Sequence, residues 1–297
     1  MAVVYPGVRG RVGYETLPRD LSGVTRRAFL KTAAVLAWPA VGGAQTRPAP
    51  RTLHNGIVLS SPWPPVRRRL TSEPQRPPYL ASPPAVINID VGRQLLVDDF
   101  LIEESSLYRS FHPAEYYPGN PVLVPVRDWE RKDPYSAITG TAPSQSAMVF
   151  SDGVFFDPAD RVFKMWYMAG YQQHTALALS NDGIRWERPS LDVVPGTNIV
   201  SAQPRDSNTV WLDLEARNPA ERFKMAAYDL ELKALRLQLS RDGVHWRPVG
   251  ISGRCGDRST FFRNPFLGTW AFSLRADEEG TLNRFRTYLE SRDFAST

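Results

Sequence analysis

Short apolar runs broken by polar turns fill the second half of the chain, and their pattern predicts strands. Val162-Phe163-Lys164-Met165-Trp166-Tyr167-Met168 is rich in β-branched and aromatic residues. Thr175–Ser180 is a second, shorter apolar run. Asn181-Asp182-Gly183 separates it from Ile184-Arg185-Trp186, which reads as a third strand. Asp-Gly between two such runs is a strong hairpin signal, because glycine accepts positive φ without steric cost. The Ser and Asp side chains are placed to accept backbone N–H groups inside that turn, and the Trp to pack across it. Gly153-Val154-Phe155-Phe156-Asp157 adds a short strand ahead of the set.

The whole set recurs. Phe163-Lys164-Met165 returns as Phe223-Lys224-Met225, and Ser180-Asn181-Asp182-Gly183-Ile184-Arg185-Trp186 as Ser240-Arg241-Asp242-Gly243-Val244-His245-Trp246, both at an offset of 60 residues. Asn208–Asp213 stands where Gly153–Asp157 stood. A third, degenerate copy runs through Ser259–Asn264, Gly268–Leu274 and Arg286–Phe294, and stops short of a fourth strand. A unit of this length buries its apolar face only by stacking on neighbours. About four antiparallel strands per unit is a β-propeller blade, so the expectation is an all-β fold holding an opening segment and about three blades.

Composition narrows the partners. The net charge is +5 over 297 residues, yet residues 1–44 carry six Arg or Lys against two acids, so the rest is close to neutral. No nucleic-acid footprint follows, and Arg67-Arg68-Arg69 reads as a solvated linker. The single cysteine, Cys255, has no internal disulfide partner, and the four histidines show no metal-ligand spacing. No metal and no cofactor are expected. Thr25-Arg26-Arg27-Ala28-Phe29-Leu30-Lys31, the apolar run Ala33–Val41 and the small residues Gly42-Gly43-Ala44 read as a twin-arginine export signal over residues 1–44. That predicts passage through the Tat translocase to the periplasm or beyond. The apolar run is too short for a stable membrane span. Residues 45–85 hold ten prolines between Pro48 and Pro84 and read as a disordered or extended linker. The folded part is expected over 86–297, opening with strands at Ile87–Asp90 and Gln94–Ile102.

Leu95-Leu96-Val97-Asp98-Asp99-Phe100-Leu101-Ile102, Arg109-x-x-His112-Pro113, Asn120-Pro121-Val122-Leu123 and Trp129-Glu130 precede the repeats. Together with Phe163-Lys164-Met165-Trp166-Tyr167 and Ser-x-Asp-Gly-x-x-Trp, this resembles exported bacterial proteins of the five-bladed β-propeller glycosidase superfamily, the glycoside hydrolase family 32-like and 43-like proteins. The resemblance implies a funnel at the propeller axis lined by acids from the innermost strands, and a carbohydrate substrate. Five blades need more chain than residues 86–297 supply, so a truncated propeller is expected.

Glycoside hydrolysis needs two carboxyl groups flanking the scissile bond. In a propeller, residues at the start of each innermost strand face the axis. Asp206, before Asn208-Thr209, and Asp257, before Ser259-Thr260, fall there, with Ser151-Asp152-Gly153 a looser equivalent. Asp206 and Asp257 are the candidates for base or transition-state stabiliser, and they fit turn caps equally well. Arg258 is placed to hold a carboxylate ionised or to clamp a sugar. Glu290 is the candidate proton donor. Arg109 and His112 form either a funnel-lining pair or a structural hydrogen bond. Trp166 and Trp211 offer sugar-stacking faces, although aromatics at strand spacing are more often core. Asp182 and Asp242 read as turn residues. The leading expectation is glycoside hydrolase-like chemistry; the alternatives are a glycan-binding propeller without catalysis and a purely structural or interaction propeller.

Overall fold

The computed structural model describes residues 49–65, 73, 76–92, 94–132, 145–277 and 284–296. The twin-arginine segment and Arg67–Arg69 lie outside the described residues. In chain order the strands are β1 (Arg51–Thr52), β2 (Val58–Leu59), β3 (Ala147–Met148), β4 (Val154–Asp157), β5 (Val162–Ala169), β6 (His174–Ser180), β7 (Ile199–Ser201), β8 (Asn208–Leu212), β9 (Phe223–Asp229), β10 (Ala234–Ser240), β11 (Arg247–Arg254), β12 (Thr260–Asn264), β13 (Thr269–Asp277) and β14 (Arg284–Ser291). The fold is all-β, and every strand pairing is antiparallel.

Each sequence copy forms its own sheet. The first runs β4-β5-β6-β7, with β3 beside β4 along the same edge of β5. The second runs β8-β9-β10-β11 and the third β12-β13-β14. The 60-residue offset carries the pairing register with it: Phe163 opposes Ser180 as Phe223 opposes Ser240, and Ala169 opposes His174 as Asp229 opposes Ala234.

The Asp-Gly turns differ from the expected tight hairpins. Ser180 Oγ accepts from the N–H groups of Asp182 (3.2 Å) and Gly183 (2.8 Å). Asp182 Oδ1 accepts from Ile184 and Arg185, each at 2.8 Å. Ser240 and Asp242 repeat these contacts on Gly243, Val244 and His245. The aspartate thus takes the very N–H groups that a strand at Ile184–Trp186 or Val244–Trp246 would offer to its neighbour. Pairing resumes only at Glu187, opposite Leu179, and at Arg247, opposite Leu239. In the second sheet the outer strand β11 therefore starts at Arg247, later than expected, and in the first Glu187 makes only an isolated bridge before β7 at Ile199.

Successive sheets are joined by apolar packing. Trp166, Leu177 and Val200 of the first sheet meet Val210, Leu212, Phe223 and Met225 of the second. Leu235, Leu237 and Tyr228 of the second meet Phe261, Trp270 and Phe272 of the third. Trp166 is wholly buried and lies 5.5 Å from the Phe223 ring. Truncating such a side chain to alanine typically costs about 3–5 kcal/mol. Its indole N–H still needs an acceptor, and finds the Gly243 carbonyl of the neighbouring sheet at 2.9 Å.

The repeated Phe-Lys-Met lysines are buried too, and each joins an acid of its own sheet to an aromatic ring of the next. Lys164 pairs with Asp157 at 2.9 Å and sits 5.0 Å from the centre of the Phe223 ring. Lys224 pairs with Asp213 at 2.8 Å and sits 5.0 Å from the Trp270 ring. A cation over the next sheet's aromatic face ties the sheets while it stays ion-paired in its own. Asp157 also receives a two-pronged contact from Arg222 of the second sheet, Nη1 to Oδ2 at 2.9 Å.

Two expectations about the first part of the chain are corrected. Residues 51–59 are not linker. Asn55-Gly56 makes a tight hairpin, with Gly56 at φ +80° and Leu53 N–H on the Ile57 carbonyl at 2.8 Å. Ile57 and Leu59 are buried, His54 stacks on Phe266 at 4.8 Å, and Arg51 pairs with Glu290 at 3.0 Å. Conversely, Ile87–Asp90 and the described part of Gln94–Ile102 form no strands. Among the described residues nothing pairs with their backbone as a strand, and Leu95 and Val97 are exposed.

Two outcomes follow. Gly243 has φ +79°, and a Cβ there would meet Trp166 Cζ2 at 2.5 Å, whereas at Gly183 (φ +73°) the nearest neighbour is 4.0 Å away. Gly243→Ala should therefore cost about 1–2 kcal/mol more than Gly183→Ala in urea unfolding, the excess being the clash. Burial raises the Asp157 carboxyl, but Arg222 and Lys164 outweigh it and hold the pKa well below the usual value. Its stabilisation is thus present above about pH 4 and lost as pH falls towards the folded-state pKa. Asp157→Asn should cost about 3–5 kcal/mol at pH 7 and flatten the loss of stability between about pH 4 and 2, read from unfolding curves across pH.

Candidate functional site at the strand starts

The segments leading into β4, β8 and β12 each carry an aspartate, Asp152, Asp206 and Asp257, and each aspartate is held by an arginine. Asp152 is wholly buried and gripped by the fork of Arg205, with Nη2 on Oδ2 at 2.9 Å. Asp206 is buried and accepts from Arg258 Nε at 3.1 Å. Asp257 pairs with Arg275 on β13. Arg205 belongs to the lead-in of β8 and Arg258 to that of β12. The lead-ins of β8 and β12 thus each supply an acid of their own and an arginine for the acid of the preceding sheet, whereas Asp257 is paired within its own sheet.

The surroundings satisfy most of this charge. Arg205 is 2 % exposed and donates Nε to the Asp206 carbonyl at 3.0 Å. Gln172 Nε2 donates to Asp206 Oδ2 at 2.8 Å, so both oxygens of that carboxylate are engaged. Val210 N–H reaches the Asp152 carbonyl at 2.6 Å, and Ser151 Oγ donates to the Asn208 carbonyl at 2.7 Å. Burial pushes the Asp152 carboxyl up against the pull of Arg205. Two buried acceptors, Gln172 Oε1 and Asn208 Oδ1, have no hydrogen-bond partner among the described residues.

Arg258 is the exposed member of the cluster. Its backbone is left-handed at φ +61°, a conformation that costs a non-glycine residue about 1–3 kcal/mol and persists only when its surroundings enforce it. Here its N–H donates to Ser207 Oγ at 2.8 Å, and its guanidinium lies over the Phe150 ring at 4.0 Å. The side chain is 49 % exposed. Only Nε is engaged among the described residues, so the Nη groups remain available as donors beside the part-exposed Asp257.

The remaining candidates lie elsewhere. Glu290 is on β14, the strand of the third sheet farthest from β12, where it is tied to Arg51 and Tyr288. It does not join Asp206 and Asp257. Arg109 pairs with Asp99 at 2.6 Å and His112 with Ser110 at 3.0 Å, both within their own exposed segment. Trp166 is core. Trp211 is partly buried and packs at 6.0 and 6.4 Å against Phe155 and Trp270 in the apolar layer between sheets. Asp182 and Asp242 cap turns.

Sequence reasoning passed over Arg205 and Gln172, and left Asp152 as a loose equivalent. A signal for Arg205 was present: Arg205-Asp206 and Asp257-Arg258 place an arginine next to an acid at equivalent points of successive copies. It also passed over Glu130, which is wholly buried and accepts from Tyr167, Arg188 and the N–H groups of Val126 and Arg127 at 2.6–2.8 Å. Burial raises its pKa, and the bonds from Arg188 and Tyr167 more than offset that and hold it below the usual value. With every contact filled, it anchors the segment before the first sheet.

Among the described residues no helix is long and apolar enough to cross a membrane, and no cluster of His, Cys, Asp or Glu is arranged to hold a metal ion. No family model, no curated protein and no solved structure matches this chain.

The ion pairs carry a prediction. Arg205→Met leaves Asp152 buried and unpaired and should cost about 3–5 kcal/mol in chemical unfolding. Adding Asp152→Leu should recover most of that loss, because the stranded charge is then gone.

Proposed function

We propose that this chain is a carbohydrate-binding protein of β-propeller build, exported by its twin-arginine leader, with its site at the rim of the strand-start cluster. Three sheets that follow one another in the chain, pack face to face and tie their first strands together by acid–arginine pairs support the propeller reading. The observation that carries the binding reading is Arg258: exposed, backed by an aromatic ring, strained into place, and with spare donors next to an acid. A planar guanidinium beside a carboxylate offers the mixed donors and acceptors that sugar hydroxyls require.

Binding fits better than hydrolysis for a geometric reason. Hydrolysis needs one carboxyl free to deliver a proton and a second free to attack or to activate water. Asp152 is buried under Arg205, both oxygens of Asp206 are occupied, and Glu290 is committed to Arg51. Asp257 alone is part-exposed among the strand-start acids. Asp206 serves instead as an ion-paired post that holds Arg258 in position.

A glycan array read with the purified chain tests this directly. Binding should appear, fall by about tenfold or more in Arg258→Ala as charged hydrogen bonds are lost, and release no reducing ends. Release of reducing ends that disappears in Asp206→Asn would replace binding by hydrolysis. Absence of any glycan signal would remove both readings and leave a structural propeller.

A further inference from the structure

The repeated Ser-x-Asp-Gly-x-x-Trp turn is satisfied differently in its two copies. In the first, Trp186 Nε1 donates to the Gly183 carbonyl of its own turn at 3.0 Å. In the second, the matching carbonyl of Gly243 is taken by Trp166 from the neighbouring sheet at 2.9 Å. Trp246 Nε1 is buried and has no hydrogen-bond partner among the described residues. Gln238 on β10, 8 % exposed, also has its buried Nε2 unpartnered. Both residues line one cavity of about 410 Å³, between β7 of the first sheet and β10 with its following turn in the second.

The rest of the lining defines what fits. Val193, Val200 and Val244 are apolar. His245 bridges the two sides of the cavity, with Nδ1 2.8 Å from Asp242 Oδ2 and Nε2 2.9 Å from Asp192 Oδ1. Two acids around one imidazole make this rim net negative whenever both are ionised. Buried N–H groups without partners cost free energy until an acceptor reaches them.

We infer that this cavity is a second binding site, for a neutral polyhydroxylated ligand of monosaccharide size. Hydroxyl groups both accept, as Gln238 Nε2 and Trp246 Nε1 require, and donate, as the Asp192 carboxylate on the lining requires. The valines and the indole take the C–H face of the ring. The negative rim disfavours carboxylated and phosphorylated ligands. The volume lies within the range of small-molecule pockets. This inference stands on the cavity's own geometry and is independent of the site at Arg258.

The test uses the full chain, ¹⁵N-labelled, titrated with D-glucose, D-galactose, D-mannose and D-xylose, and with the matching uronates. The Trp246 indole N–H resonance, assigned by its disappearance in Trp246→Phe, should shift with at least one neutral sugar and much less with its uronate. Saturation-transfer signals from that sugar should weaken about fivefold to tenfold in Trp246→Phe, which keeps the ring and removes one donor, and vanish in Gln238→Leu. Arg258→Ala should leave both signals unchanged, which separates this site from the one at the strand starts. Thermal unfolding of Trp246→Phe should match the wild type, so that a weakened signal reports binding and not misfolding. No shift with any neutral sugar, a stronger shift with the uronates, or binding unaltered in both cavity variants would overturn the inference.

Discussion

Charge buried where two sheets meet is the constraint on which the structure depends. Asp152, Asp157 and Arg205 are almost or wholly out of water, and each takes part in an arginine–carboxylate tie that crosses a sheet boundary. A stranded buried charge costs about 3–5 kcal/mol, against a net stability of about 5–15 kcal/mol for a typical domain. Two such ties therefore weigh as much as the whole margin. Apolar packing around Trp166, Phe223 and Phe272 brings the sheets together, and the ion pairs fix their register, since an arginine fork meets a carboxylate in few geometries.

The same scheme places the sites. Wherever a tie across the boundary uses a group that would otherwise serve locally, something is left over. Arg258 gives its Nε to Asp206, its N–H to Ser207 and its face to Phe150, and keeps its outer donors. Trp166 takes the Gly243 carbonyl and leaves the Trp246 indole N–H without it. The donors on which both proposed sites rest are the surplus of the packing chemistry.

The fold was legible in the sequence where a signal repeats. The offset between Phe163 and Phe223 carried strands, register and turns together, because the hydrogen-bond ladder and the apolar face are encoded in the same residues. It failed where pattern without a partner was read as a strand: Leu95-Leu96-Val97 and Phe100-Leu101-Ile102 are apolar enough for strands, yet among the described residues no neighbouring strand receives their backbone. The hairpin at Asn55-Gly56 was hidden in proline-rich surroundings although its turn residues were in plain view. In the site, Asp206 and Asp257 were found by position. Their arginine partners were not, because an ion pair between sheets leaves no periodic mark on either strand. Trp166 and Glu290 were misplaced for a related reason: side-chain chemistry alone does not distinguish an axial group from one turned into the core or towards the N-terminal hairpin.

Hydrogen exchange of the Trp166 indole N–H, followed by NMR under native conditions, measures the closure of the boundary between the first two sheets. That proton lies in a wholly buried ring and is donated to the Gly243 carbonyl of the opposite sheet. It should exchange only through global unfolding, with the same free energy and the same denaturant dependence as the unfolding transition. Exchange through a cheaper opening with weak denaturant dependence, while strand amides of β5 and β9 stay protected, would contradict the central claim that the sheets are locked together across this boundary.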